Sequence, residues 1–65
     1  MRTFSLFIED RRYAAPTLQF VFADDEDAAR EAAERVLAAS ADHLAIEVCE
    51  GGRALFRHAR PTLGA

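Results

Sequence analysis

Along the chain, apolar and polar positions first alternate in TFSLFIE, residues 3–9, which places Phe4, Leu6 and Ile8 on one face of a strand and leaves Phe7 on the other. Residues 9–16, EDRRYAAP, carry charge and a proline that biases Ala15 toward extended geometry, so they read as a connecting loop. A second strand follows in TLQFVFA, residues 17–23, with Leu18, Phe20 and Phe22 as the expected inward set and Val21 opposite. The period then lengthens. Ala29, Ala32, Ala33, Val36, Leu37 and Ser40 recur at helical spacing against Asp27, Glu31, Glu34 and Arg35, which predicts an amphipathic helix of about four turns with a contact face made mostly of methyl groups.

The helix is preceded by four carboxylates in a row, Asp24 to Asp27. Asp24 or Asp25 is a good N-cap, and acids in the first turn lie at the positive end of the helix dipole. A calcium loop would need oxygen ligands at alternate positions and a glycine to turn the chain, and DDEDAAREAAE has neither. The block therefore reads as a helix start.

After the helix, residues 44–50 and 53–58 form two strands joined by Gly51-Gly52, a turn that tolerates positive φ. In a regular two-residue hairpin Val48 faces Leu55, Cys49 faces Ala54, Glu47 faces Phe56 and Ala45 faces His58. That register puts Phe56 with Phe7, Val21 and Cys49 on the face turned away from the helix. The succession ββαββ predicts an α+β, two-layer fold, with one helix across one face of a four-stranded antiparallel sheet in strand order 2-1-3-4. Residues 1–60 are expected to form one small domain and residues 61–65 a flexible tail.

A chain of 65 residues buries only about 60% of the surface its unfolded form exposes. With one cysteine, Cys49, it has no internal disulfide to offset that thin core, which favours help from a partner subunit. The single thiol and an N-terminus that meets charge after six uncharged residues are expected of a cytoplasmic protein, without membrane attachment. All eight basic residues are arginines, a codon bias that suggests a bacterial source.

Candidate chemistry is sparse. Cys49 and His58 would lie about 13 Å apart along the hairpin at ~3.3 Å per residue, beyond nucleophile–base reach. His43, Glu47 and His58 approach one another diagonally in the same register, but three ligands on an exposed sheet end read as a solvated face rather than a metal site. No cofactor motif is present, and an enzyme is not expected. Arg11, Arg12, Arg53, Arg57 and Arg60 with Tyr13, Phe7 and Phe56 could form a basic stacking surface for nucleic acid, yet the net charge of −3 opposes that alternative. The helix opening DDEDAAREAAERVLAAS, the aromatic first strand MRTFSLFIED and the hairpin IEVCEGGRALFR resemble a group of short bacterial ββαββ proteins known only as a domain of unknown function. The likeness covers most of residues 1–57 and implies a fold but no activity. The function expected is thus a protein-interaction or assembly module, a homodimer or a partner for another protein, with Phe7, Val21, Cys49 and Phe56 as the contact residues.

Overall fold

A computed structural model describes residues 1–60; the expected tail, 61–65, lies outside the described residues. The elements are β1 (Arg2–Asp10), β2 (Thr17–Ala23), α1 (Glu26–Ala38), β3 (His43–Glu50) and β4 (Arg53–Ala59). They form the expected ββαββ arrangement: one sheet in order β2-β1-β3-β4, every neighbouring pair antiparallel, with α1 packed across one face. Order 2-1-3-4 follows from chain direction. Two hairpins and a helical crossover that skips β1 give an all-antiparallel sheet without a parallel pair.

The helix begins at Asp25, whose extended backbone (φ −152°, ψ 178°) lets its carboxylate accept from the Ala28 N–H at 2.8 Å, with Glu26 and Asp27 in the first turn. Its other end is closed by side chains. Arg60 donates to the carbonyls of Leu37 (2.5 Å), Ser40 (2.8 Å) and His43 (2.9 Å), and His43 meets the Val36 carbonyl through Nδ1 at 2.7 Å. A carbonyl only accepts, so that ring carries a proton on Nδ1. Arg60 thereby satisfies the Leu37 carbonyl of the last turn and ties the helix end to the residues leading into β3, while the Val36 carbonyl accepts from both His43 and the Ala39 N–H.

The core lies between α1 and the central strands: Phe4, Leu6 and Ile8 from β1, Ile46 and Val48 from β3, Ala23 from β2, and Ala29 and Ala33 from the helix. Two expectations about sidedness are corrected. The β1–β2 register pairs Phe4 with Val21 and Leu6 with Gln19, so Val21 packs on the core side, and Leu18, Phe20 and Phe22 point to the open face. The physical reason is the alanine face of α1. Ala29 and Ala33 have no exposed surface, and a helix held that close over the sheet leaves room beside it for Val21 and Ala23 but not for two more phenylalanines.

The second correction concerns β4. The turn is as expected, Gly51 and Gly52 having φ of 59° and 79°, and Glu50 pairs with Arg53 and Cys49 with Ala54. The ladder then shifts, and Val48 pairs with Phe56 rather than Leu55. Leu55 is the extra residue of a β-bulge, and everything beyond it changes face. Phe56 thereby joins the core side, where Arg30 of α1 stacks on its ring at 4.3 Å and His58 meets it edge-on at 5.5 Å. Among the described residues, no helix is long and apolar enough to cross a membrane.

Candidate functional site

Of the four residues expected on the open face, the sheet places Phe7 and Cys49 there and Val21 and Phe56 beneath the helix. The positions of Val21 and Phe56 are taken by residues first assigned to the core. Leu18 pairs across from Phe7, Phe20 from Ser5 and Phe22 from Thr3, all on the side away from α1. Their exposures of 49%, 58% and 66%, with 37% for Phe7, define a continuous apolar strip along the β2 edge of the sheet. The signal for it was present in the sequence as apolar residues at both parities of β2, but the larger set was expected inside.

The rim of the strip is polar. Thr3 and Ser5 lie along its inner side, and across β1 the next strand presents Glu47 beside Phe7 and Cys49 beside Ser5. Farther over, Arg57 on β4 reaches across β3 to both oxygens of Glu9 at 3.2 Å. The open face is therefore apolar on its β2 side and charge-paired on its β4 side.

Cys49 is nearly enclosed on this face, with Sγ 3.8 Å from Glu47 Oε1. Burial, reinforced by the Glu47 charge, pushes the thiol above its ordinary pKa, which keeps it protonated and weakly nucleophilic. His58 stands on the opposite face, paired with Ile46. Glu47 and His58 are likewise on opposite faces, so the three candidate metal ligands of the sequence do not converge.

A second cluster sits where β1 leaves the sheet. Asp10, 3% exposed, accepts at Oδ1 from the Arg12 backbone N–H (2.8 Å) and Arg12 Nε (2.9 Å) and at Oδ2 from Arg12 Nη2 (2.6 Å), with His43 Nε2 3.7 Å from the same Oδ2. The Arg12 hydrogen bonds outweigh the opposing effect of burial and hold the Asp10 carboxyl down at about 2. Asp42 draws Arg11 and Arg12 to the same place, at 3.6 and 3.3 Å. Beside the cluster the β1–β2 loop forms a shallow cleft of about 360 Å³, lined in part by Asp10, Tyr13, Pro16 and Leu44. Asp10 is already saturated by Arg12, so its role is to fasten the loop and the start of β3 to β1. At the far end of β1, Arg2 makes the equivalent tie to β3, donating two bonds to Glu50 at 2.8 and 2.6 Å.

Comparison of the chain with protein-family models, curated proteins and solved structures finds no match.

Proposed function

We propose that this chain is a small, non-enzymatic, cytoplasmic assembly module of bacterial origin that associates with a second copy of itself through the sheet face α1 leaves open. The observation that carries the reading is the strip of Phe7, Leu18, Phe20 and Phe22, bounded by polar and charge-paired neighbours. At about 200 Å² for a whole phenylalanine, the four side chains expose on the order of 400 Å² per copy. Stacking two open faces removes roughly twice that from water, about 20 kcal/mol gross at ~25 cal/mol/Å². Association costs about 4–15 kcal/mol, with interface side-chain ordering and polar desolvation in addition, so the gross figure is a driving force and not an affinity, and the area is that of a small, concentration-dependent contact. The thin alanine-lined core supplies the other motive, because a domain this small gains stability when a partner covers apolar surface.

The exposed rings on a sheet also resemble a stacking platform for single-stranded nucleic acid. The charge pattern disfavours that use. Among the described residues the open face carries Arg57, neutralised by Glu9, while Arg2, Arg11 and Arg12 pair with Glu50, Asp42 and Asp10, and Arg60 is engaged by helix-end carbonyls. The test is sedimentation of the wild type and of Phe7→Ser/Phe22→Ser, alongside titration with labelled single-stranded RNA. The reading requires concentration-dependent association that the double substitution weakens by removing the face contact, and no RNA binding at physiological salt. A monomeric wild type that binds RNA would replace it.

A further inference from the structure

The sheet has two edges, β2 and β4, and they are built differently. β4 carries Arg53, Arg57 and the bulge at Leu55, features that blunt an edge against further pairing. β2 has none of these. Its seven residues, TLQFVFA, contain no charge, proline or glycine, and its ladder to β1 runs without a shift, whereas both other ladders are irregular. Among the described residues its outer backbone groups have no strand partner, since β1 is its one neighbour in the sheet. A regular, uncharged, largely apolar edge of this kind is suited to pairing.

The sequence of the edge indicates what it pairs with. Phe20 is the midpoint of Thr17–Ala23, with Leu18 and Phe22 equidistant from it on the open face and Gln19 and Val21 equidistant on the helix face. An antiparallel copy of the strand, rotated about a two-fold axis at Phe20, sets Leu18 against Phe22 of the other copy, Gln19 against Val21, and Thr17 against Ala23. Each facing pair then lies on one side of the sheet, as antiparallel pairing demands, and all seven residues are used. We propose that β2 pairs in this register with β2 of a second copy, forming a continuous eight-stranded sheet. The assembly closes, because its outer edges are then two guarded β4 strands. The contact is separate from the stacking of open faces: Phe7 belongs to the open face but not to the edge, and Gln19 to the edge but not to the open face.

The experiment is oxidative cross-linking of the full chain, with bonds mapped by mass spectrometry. Phe20→Cys faces itself across the axis at a Cβ separation of about 4.5–5.5 Å, and forms a disulfide dimer. Leu18→Cys alone does not, its symmetry mate being about 13 Å away at ~3.3 Å per residue, but a mixture of Leu18→Cys and Phe22→Cys yields the mixed disulfide. In the Phe20→Cys chain, adding Gln19→Lys lowers the yield at least tenfold by placing charge on the edge, and adding Phe7→Ser leaves it unchanged. Equal self-linking of Leu18→Cys, no Phe20→Cys dimer from a folded chain, or sensitivity to Phe7→Ser with indifference to Gln19→Lys would each overturn the edge contact. Failure of face stacking would instead show as a Phe7→Ser/Phe22→Ser chain that sediments like the wild type, with the cross-links intact.

Discussion

Single residues decide both ends of the helix and the fastening of the first loop. Asp25 is the N-cap, and its replacement by alanine lowers stability by about 1 kcal/mol, while Asp24→Ala leaves it nearly unchanged. Urea unfolding of the two variants measures the difference. Asp10 governs the acid limb. Its folded pKa, about 2, lies below the ordinary carboxylate value, so the stabilisation it provides is complete above about pH 4 and is lost as pH falls toward 2. Glu50, lowered by its bonds to Arg2, acts in the same direction. Melting temperatures of the wild type therefore fall steeply between about pH 4 and pH 2. Asp10→Asn melts lower at neutral pH and flattens that part of the curve, whereas an unchanged acid limb would exclude Asp10 as its source.

At the scale of elements, the alternation that marks β1, the helical period after the acidic block and the Gly51-Gly52 turn made the element order, the strand order and the α+β class legible in the sequence. The faces of β2 and of the outer half of β4 were not. In TLQFVFA both parities are apolar, and the choice between them is set by the space under Ala29 and Ala33, a tertiary property. The bulge at Leu55 lacks the glycine that would mark one type of bulge in the sequence, yet it moves Phe56 and His58 to the other face. The candidate site was legible in kind, as an uncovered apolar face, and in Phe7 among its large residues, but three of its four side chains had been assigned to the core. The corrected assignment has a direct consequence. Phe56→Ala, which empties a half-buried position under Arg30, costs about 2 kcal/mol, less than a fully enclosed phenylalanine, whereas Phe20→Ala on the open face leaves the stability of the dissociated chain within about 0.5 kcal/mol. Equal losses at the two positions, measured by urea unfolding at low concentration, would restore the regular hairpin register.

For the whole molecule, a small core and an uncovered apolar strip are two sides of one arrangement. The helix contributes methyl groups to the core and packs on one face of the sheet, Val21 and Ala23 of β2 included, while the larger apolar side chains Phe7, Leu18, Phe20 and Phe22 stand on the opposite face, exposed. If the proposed self-association holds, it shows as stability: the melting temperature rises with protein concentration, and the dependence weakens when the strip is removed. Sedimentation of the wild type and of Phe7→Ser/Phe22→Ser across about 1–100 micromolar chain concentration tests this most directly. The account predicts that the wild type shifts from monomer toward a larger species over that range, while the double variant keeps wild-type circular dichroism and sediments as a smaller species than the wild type at each concentration. A wild type that remains a monomer at 100 micromolar would contradict it.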